Sequence, residues 1–570
     1  MKNHEVAELL NKIADYLELQ EDTFRVRAYR KAALVIAGLS EDIWEIAKKG
    51  SKALEELPGI GEGIAKKIID FLENGKSRYL AELKKKTPID MEQFGEIEGI
   101  GPKTILKLYK KLKVRNVKDL EKAAKQGKIK EIEGLGPTAE KNMLKSIEFS
   151  RKSKGRVLLG YALPAAEQIV ESLRQLQEVQ KADIAGSLRR RKETIGDIDI
   201  LVTSSNPEKV IDFFTKMPNV QQVLAKGPTK SSIRIENIQA DLRVLPDNIY
   251  GAALLYFTGN QQHNIEIRRI AIQKGMKLSE YGLFDKKTDK LIAGKTEEEI
   301  YRKLGMDYIE PEIREEKGEI QAAMQHKLPK LIGYGDIKGD LQMHTRWSDG
   351  SNTIEEMALA AKKLRYEYIA ITDHAGHLGI AKALDKKRIL KQRKEIDKAD
   401  KKVKGIAILQ GTEVDISSDG SVEMEDNVLK QLDVVVASVH SGFKTPKDKM
   451  TRRVIKAMEN EHVDIIAHPT GRLIQKREPF EIDLDMIFDK AKETGTVLEI
   501  NAYPERLDLK DSHVRAAIKA GVKLVISTDA HQAEQLHFMR FGIATARRGW
   551  AEKKDIINVN SLKEMMKMLK

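Results

Sequence analysis

The chain has 570 residues, which is too many for one hydrophobic core, so we expect three or more domains. It has no cysteine, which excludes disulfides and thiolate metal sites, and its lack of a long apolar run or a signal peptide predicts a cytoplasmic protein. The net charge of +13 favours a polyanionic partner, and nothing in the sequence requires more than a monomer.

The first two predicted domains are helical. Residues 1–85 have the apolar spacing of amphipathic helices, and residues 86–155 form a second predicted helical domain that is strongly basic. Between residues 101 and 160 there are 17 Lys and Arg against 6 Asp and Glu. A charged run is usually only a solvated face, but this concentration of the whole chain's surplus favours nucleic acid.

A short repeat occurs three times in these domains, at 57–68, 97–108 and 132–143. Each copy places two glycines before a helix, which permits a tight turn and presents free backbone N–H groups to a phosphate. One copy would be explained equally well as a packing corner, but three copies in the basic region favour DNA contact without sequence reading. The predicted DNA-binding glycines are Gly59, Gly61, Gly99, Gly101, Gly134 and Gly136.

Residues 156–250 alternate helices with β-branched runs and predict a sheet-containing domain. Within 185–202, Gly186 and Ser187 would open a helix toward a phosphate, with Arg190 on that helix. Asp197 and Asp199 are two residues apart on a strand and therefore point to one face. Asp241 arrives on a later strand, and three such carboxylates suit two Mg²⁺ ions beside a triphosphate. An exposed strand with alternating aspartates is the alternative.

The C-terminal half begins after residues 251–317 and a predicted linker at 318–335. Residues 336–570 alternate strand-like and helical runs, which predicts a parallel α/β barrel with functional residues at strand C-terminal ends. Histidines and carboxylates follow these strands repeatedly and predict a site for Mn²⁺, Zn²⁺ or Fe²⁺ that hydrolyses phosphoesters. The predicted ligands are His344, Asp349, His374, Glu413, His440, His468, Asp529 and His531.

Two segments of the first half resemble DNA polymerase beta. The run at 24–39 with the first repeat is similar to its small lyase domain, and YFTGNQQHNIEIRRIAIQKG at 256–275 is similar to its thumb. The resemblance covers about residues 1–317 and implies a family X DNA polymerase. Its domains would be an 8 kDa-type lyase-like domain at 1–85, fingers at 86–155, a nucleotidyltransferase palm at 156–250 and a thumb at 251–317. The three repeats would be helix-hairpin-helix motifs.

The resemblance also implies residue roles. Ser187 and Arg190 would bind the β and γ phosphates, Asp241 would help to activate the primer hydroxyl, and Arg243 would stabilise that carboxylate. Lys67 would be a Schiff-base nucleophile, although it is also one of many surface lysines. The residues that would line the sugar pocket, the base edge and the template are Tyr256, Phe257, Gly259, Asn264 and Arg268.

The C-terminal half resembles the PHP family, which implies a distorted (β/α)₇ barrel with metal-dependent 3′→5′ exonuclease and often AP-endonuclease or 3′-phosphatase activity. That family usually opens with His-x-His, whereas this chain has Gln342 before His344, so one metal would be held differently. We leave His377, His513 and His537 unassigned.

These features together predict a multidomain α+β and α/β enzyme that fills short gaps in DNA in base excision repair from dNTPs and cleans 3′ ends. Two alternatives stay open at this stage. One is a histidinol-phosphatase-like enzyme of small molecules with an added nucleotidyltransferase, and the other is a DNA-binding scaffold without catalysis. Incorporation of dNTPs on gapped or primer-template DNA separates the first prediction from both.

Overall fold

The computed structural model describes every residue of the chain except 1, 38–41, 58, 96–99, 138, 142, 145–146, 148–154, 236 and 377–381. The chain forms two compact units, one of residues 1–154 with 475–477 and the other of residues 155–474 with 478–570. No helix in the described part of the chain is both long enough and apolar enough to cross a membrane.

The first unit is helical because its apolar residues recur with helical spacing. In α5, for example, Ile64, Ala65 and Ile68 form one buried face. Its helices are α1 (Asn3–Leu19), α2 (Thr23–Ala37), α3 (Ile43–Lys48), α4 (Ser51–Glu55), α5 (Glu62–Asn74), α6 (Arg78–Lys86), α7 (Met91–Gly95), α8 (Pro102–Leu112) and α9 (Val117–Lys125). Their buried faces contribute to one common core.

The second unit starts with a five-stranded sheet of order β2-β4-β7-β6-β5, in which only β4 and β7 are parallel. The short strands β1 (Val157–Leu158) and β3 (Thr194–Ile195) pair beside it. The sheet strands are β2 (Val179–Ile184), β4 (Asp197–Ser204), β5 (Val220–Lys226), β6 (Lys230–Ile235) and β7 (Ile238–Leu245). Its helices are α10 (Leu159–Arg174), α11 (Gly186–Arg189) and α12 (Pro207–Thr215).

A smaller subdomain follows, with a three-stranded antiparallel sheet and its own core. The segment predicted as a linker contributes to that core, because α16 buries Ile320 and Ala323 there. The elements are α13 (Tyr250–Thr258), α14 (Gln261–Gln273), β8 (Met276–Ser279), β9 (Gly282–Asp285), β10 (Leu291–Ala293), α15 (Glu297–Lys303) and α16 (Glu319–Met324).

The rest of the unit is a parallel barrel, as predicted. Its strands are apolar and buried because helices cover them outside, and a bridge from Met343 to Ala530 brings the first and last strands together. The strands are β11 (Gly339–Asp340), β12 (Tyr368–Ile371), β13 (His374–Ala375), β14 (Ala407–Asp415), β15 (Val434–Ser438), β16 (Ile465–Ile466), β17 (Val497–Asn501) and β18 (Leu524–Ser527). The helices are α17 (Ile354–Lys363), α18 (Lys386–Lys402), α19 (Asp426–Leu429), α20 (Lys447–Met458), α21 (Leu484–Thr494), α22 (Asp511–Ala520), α23 (Met539–Arg548) and α24 (Leu562–Met566).

The barrel packs directly on the five-stranded domain. Phe541 of α23 and Leu507 belong to the same apolar core as Leu159 and Leu163 of α10. A Cβ atom added at Gly160 would lie 2.4 Å from the side chain of Pro504, so α10 approaches the barrel too closely for a larger residue. The barrel and the five-stranded domain therefore share an apolar contact within the second unit.

Candidate active sites

The three predicted aspartates lie together on two neighbouring strands. Asp199 of β4 stands directly opposite Asp241 of β7 in the parallel register, and Asp197 is two residues away on the same face. Burial and the charges of Asp197 and Asp241 raise the pKa of Asp199 to about 7. Such mutual repulsion is relieved by a divalent cation, so the donor set fits the predicted Mg²⁺.

Gly186 is required where it stands at the start of α11. Its φ is +63°, and a Cβ atom there would lie 2.2 Å from Oδ2 of Asp199. Only glycine fits both the backbone conformation and the close carboxylate. The predicted phosphate-binding turn, with Ser187 next in the chain, is thus held against the aspartates.

Arg190 follows α11 and lies beside the end of α13. Its Nε donates to Oε1 of Glu315 at 3.1 Å, and its Nη1 donates to the carbonyl oxygen of Thr258. A Cβ atom at Gly259 would lie 3.2 Å from the same Nη1. The structure therefore brings Arg190 and Gly259 together, two residues that the resemblance assigned to the nucleotide site.

The aromatic pair lies at the end of α13. The rings of Tyr256 and Phe257 meet edge to face at 5.1 Å, and Nδ2 of Asn264 donates to the Tyr256 carbonyl oxygen at 2.7 Å. Tyr256, Asn264 and Arg268 line one small cavity. Arg243 stacks on Phe257 at 4.5 Å, and its charge lowers the pKa of Asp199, whereas the resemblance had paired Arg243 with Asp241.

A buried ion network, which the sequence analysis missed, supports this region. Arg189 donates to both oxygens of Glu297 at 2.9 and 2.6 Å, and the fully buried Arg314 donates to Glu297 at 2.5 Å. Burial alone would raise the pKa of Glu297, but Arg314 and Arg189 lower this pKa to about 2. Arg189 and Glu297 are more than a hundred residues apart in the chain, so no local sequence pattern reveals this ion pair.

The barrel site gathers the predicted ligands at the C-terminal ends of the parallel strands. Among the described residues, three overlapping groups have ligand atoms close enough to hold a metal ion: His344, Asp349, His374 and His531; His374, Glu413 and His440; and His344, Glu413 and Asp529. His468 is outside these groups, but its Nε2 lies 3.2 Å from Oε1 of Glu413.

Glu413 stands at the centre of the cluster. Its oxygens lie 3.3 to 3.4 Å from ring nitrogens of His374, His344 and His440. Burial would raise its pKa, but His374, His440 and His468 hold the pKa of Glu413 well below its usual range. Burial lowers the pKa of His374 to about 4, so its imidazole is neutral at physiological pH, which is the metal-binding form.

Several nitrogen and oxygen atoms at this site lack a hydrogen-bond partner among the described residues. Within the described part of the chain, Nδ1 of His344, His374 and His468 and both amide atoms of Gln342 are buried without a hydrogen bond. Gln342 and His344 are two residues apart in an extended segment and share a face. Buried polar atoms normally have partners, so these residues fit a site completed by divalent cations.

Other residues orient the ligands. Asp415 holds Nδ1 of His440 at 2.8 Å, and Asn501 donates to Oδ2 of Asp529 at 3.1 Å. Nε of Arg506 lies 3.6 Å from the same Asp529 oxygen. The sequence analysis missed all three, although Asn501 ends the apolar strand segment LEIN and so carried the strand-end signal that identified the others.

Of the unassigned histidines, the two that the structure describes do not join these groups. His513 lies on α22, where burial lowers its pKa to about 4, and His537 is exposed. His377 lies outside the described residues.

In the first unit the described repeat glycines sit at helix starts. Gly61 and Gly101 are the residues before α5 and α8, Gly59 and Gly134 have φ of +86° and +79°, and Gly136 accepts the first helical bond from Ala139. Gly99 lies outside the described residues.

Lys67 lies on α5 with its Nζ 4.4 Å from the centre of the Tyr79 ring and 2.9 Å from the carbonyl oxygen of Gly63. Burial and then the charge of Arg25 lower the pKa of Lys67. This environment favours the neutral amine relative to a free lysine.

Comparison with known proteins agrees with this architecture. Family models match for a helix-hairpin-helix domain at residues 1–77, a SAM-like helix-hairpin-helix tandem at 92–148, a DNA polymerase beta palm at 163–273, a DNA polymerase beta thumb at 253–315 and a PHP domain at 340–503. Paired helical DNA-binding modules, a carboxylate-bearing palm and a PHP barrel define a nucleotidyltransferase joined to a metal-dependent phosphoesterase.

The full-length relative narrows this class. The chain is 39% identical, over the whole length of both proteins, to the DNA polymerase/3′-5′ exonuclease PolX of Bacillus subtilis (strain 168). The chain therefore belongs to the family X DNA polymerases that carry a PHP domain. Its barrel is also 32% identical to a probable phosphatase of Thermoanaerobacter sp. (strain X514), over 34% of this chain and 78% of that protein, and 30% identical to one of Caldanaerobacter subterraneus, over 34% and 75%.

Proposed function

We propose that the enzyme fills short gaps in DNA during base excision repair and removes nucleotides from 3′ ends with its barrel. The observation that carries the polymerase part is the pairing of Asp199 with Asp241 beside the Gly186 turn. Gapped DNA and dNTPs are the proposed substrates, and the likeness to the B. subtilis enzyme over the whole chain supports both activities.

In the polymerase reaction the primer 3′ oxygen would bond to the α-phosphorus of the dNTP, and the bond to pyrophosphate would break. Asp197, Asp199 and Asp241 would hold Mg²⁺, which supplies neutralisation of the developing phosphate charge. Asp241 would orient the primer hydroxyl and take up its proton. Ser187 and Arg190 would hold the β and γ phosphates, while Tyr256, Phe257, Gly259, Asn264 and Arg268 would position the sugar, the base and the template.

The barrel would hydrolyse a phosphodiester at a 3′ end, with water as the nucleophile and the shortened 3′ hydroxyl as the leaving group. Mn²⁺ or Zn²⁺ held by the histidine–carboxylate cluster would supply Lewis acidity toward the phosphate. The neutral imidazole of His374 and the ionised Glu413 are suited to hold these cations. The likeness of the barrel to probable phosphatases supports a further proposal of 3′-phosphatase activity. AP-endonuclease activity is proposed with it only because the resemblance to the PHP family implies it.

Two single-site variants test the pair of activities on one gapped duplex. We expect Asp199→Ala to lose dNTP incorporation at least about a thousandfold and to keep 3′ nucleotide release in Mn²⁺. His344→Ala should show the reverse, while His537→Ala, which changes an exposed histidine outside the cluster, should keep both. A wild-type enzyme that binds the duplex but never extends the primer would contradict the polymerase proposal, and nuclease activity in His344→Ala would contradict the barrel proposal.

A lyase activity of Lys67 is a second candidate, and its lowered pKa favours it. The neutral amine would attack C1′ of an abasic sugar and expel water to form an imine, which borohydride would reduce to a stable amine. Lys66 is a matched control, because it is exposed and its bond to Glu62 at 2.6 Å raises its pKa. We expect Lys67→Ala to abolish borohydride trapping and Lys66→Ala to preserve it. Equal trapping by both variants would remove the candidate.

A further inference from the structure

One helix of the PHP barrel reaches the polymerase domain. Helix α23 places Phe541 in the palm core, pairs Arg540 with Glu167 of α10 at 2.9 Å and ends at Arg548. Arg548 is only 8% exposed although it is charged. A buried guanidinium is stable only where several acceptors surround it, so its partners indicate what this end of the helix does.

The partners of Arg548 come from both domains. Its Nη1 donates to the carbonyl oxygen of Arg190 at 2.7 Å and to Oε1 of Glu315 at 3.1 Å. Its Nη2 donates to Oδ2 of Asp511 at 2.7 Å, and Asp511 is the first residue of the barrel helix α22. Arg548 therefore bridges the barrel to the segment that carries the predicted triphosphate-binding arginine.

Glu315 is the shared carboxylate of this network. Besides Arg548 it accepts from Nε of Arg190 at 3.1 Å, from Nδ2 of Asn260 at 3.2 Å and from Nζ of Lys192 at 3.4 Å. Burial would raise its pKa, but Arg548 and then Lys192 and Arg190 lower the pKa of Glu315 to about 2. Glu315 thus stays ionised and attracts each of these cations.

Arg190 and Arg548 bond to the same oxygen of Glu315, so the bonding of one affects the other. Arg190 bonds to described residues through Nε and Nη1, which leaves Nη2 as the nitrogen without a hydrogen bond to them. A carboxylate that had Arg190 as its main partner would resist any turn of that side chain toward a phosphate. Because Arg548 supplies Glu315 with a second guanidinium, Arg190 can shift toward a triphosphate without leaving a buried carboxylate unpaired.

We propose that Arg548 of the PHP barrel is a positioning residue for the polymerase reaction. It holds the main chain at Arg190 and shares Glu315, so that the barrel contributes to dNTP binding within the same chain. This inference rests on the proposed role of Arg190 in triphosphate binding. Among the described residues, Arg548 contacts neither the three aspartates nor the histidine cluster. We therefore expect its loss to change KM for the nucleotide and not kcat.

The test compares steady-state gap filling by Arg548→Met, Arg548→Lys and Arg540→Ala with wild type. Arg548→Met should raise KM for the dNTP about tenfold, as expected for lost charged hydrogen bonds, and leave kcat within about twofold. Arg548→Lys keeps the charge but not the two-sided fork, so its KM should be intermediate. Arg540→Ala breaks the ion pair between the same helix and Glu167 and should match wild type.

Hydrolysis of bis-p-nitrophenyl phosphate in Mn²⁺ reports on the barrel in each variant and should not change. An unchanged KM in Arg548→Met, or a fall in kcat with KM unchanged, overturns the inference. If Arg548→Met does not fold, Arg548→Lys decides, because a raised KM supports the inference and a wild-type KM overturns it. If wild type itself incorporates no dNTP, the polymerase proposal fails before the role of Arg548 is reached.

Discussion

Gln342 is a buried amide on the face that carries His344, and neither of its polar side-chain atoms has a hydrogen bond among the described residues. An amide is a weaker ligand than an imidazole for Mn²⁺ or Zn²⁺. We expect Gln342→His to tighten metal retention about tenfold, measured as bound metal after dialysis against graded chelator. His537→Gln is the control, and unchanged metal content in a folded Gln342→His protein would contradict a ligand role at this position.

Asp199 gives the palm a pH dependence. Its pKa, raised to about 7 by burial and by Asp197 and Asp241, lies above that of an unfolded aspartate. A group with a raised folded pKa stabilises at low pH and loses that contribution as the pH rises through about 7.

The metal-free enzyme should therefore lose about 1 kcal/mol of unfolding free energy between about pH 6 and 7 relative to Asp199→Asn, because the folded carboxyl group still holds its proton over most of this range while the unfolded one does not. Saturating Mg²⁺ should remove the difference, because the cation binds the ionised form. Thermal unfolding of both proteins across this range is the measurement. A difference that does not depend on pH would mean that Asp199 is already ionised in the metal-free palm.

Single residues were predictable where the signal was local. Asp197 and Asp199 share a face because of strand alternation, and the histidines follow apolar strands that end at one barrel mouth. Glu315 had no such signal, since its partners Arg190 and Arg548 are 125 and 233 residues away. Pairing across such separations depends on domain packing, which no local pattern contains.

At the level of elements, residues 318–335, predicted as a linker, also make long-range contacts that no local sequence pattern predicts. Its glycines and proline suggested a connection, yet α16 places Glu319 in a fully buried contact with His263, whose Nδ1 is 2.7 Å away. Nε2 of His263 in turn meets the hydroxyl of Tyr301 at 2.9 Å. Charged residues in a short polar stretch are normally exposed, so the sequence carries no signal for the burial of Glu319.

Arg314 ties helix α15 to the segment between α15 and α16, because it donates to Glu297 and to the carbonyl oxygen of Ile309. This residue is fully buried, donates to Glu297 and lies over the rings of Tyr301 and Tyr308 at 5.4 and 5.3 Å. Arg314→Met would leave the buried carboxylate of Glu297 paired, among the described cations, with Arg189 alone.

We expect Arg314→Met to lower the free energy of unfolding by about 3–5 kcal/mol, the usual loss when one partner of a buried ion pair is removed. Denaturant unfolding followed by circular dichroism measures this change. Arg302→Met removes an exposed arginine from α15 and should stay within about 0.5 kcal/mol of wild type. A loss of the same size in both variants would mean that Arg314 contributes no more than a surface charge.

At the scale of the whole molecule, the two compact units divide the chemistry. The three aspartates and the histidine–carboxylate cluster of the barrel lie within residues 155–570. The described helix-hairpin-helix glycines and Lys67 lie within residues 1–154. Much of the basic surplus, including the lysines of α8, also belongs to the first unit. Helix-hairpin-helix backbone groups and surface lysines would supply affinity for phosphates and would not take part in nucleotide addition.

Removal of residues 1–154 should therefore separate affinity from catalysis. On a recessed primer-template at saturating DNA, the shortened chain should keep kcat for dNTP addition within about threefold, because its active-site residues are intact. Its Kd for a one-nucleotide gap with a 5′ phosphate should rise at least about tenfold at moderate salt, since several phosphate contacts disappear.

The decisive measurement is the ratio of the Kd for open primer-template to the Kd for gapped duplex, determined for both chains at several salt concentrations. The full chain should prefer the gap, and the shortened chain should show a ratio near one with a shallower salt dependence, because fewer counterions are released on binding. If the shortened chain kept the same preference, gap recognition would belong to the palm, the thumb or the barrel, and the helical unit would serve only to raise general affinity. If it lost primer extension altogether, the helical unit would be needed for the geometry of the catalytic palm as well as for binding.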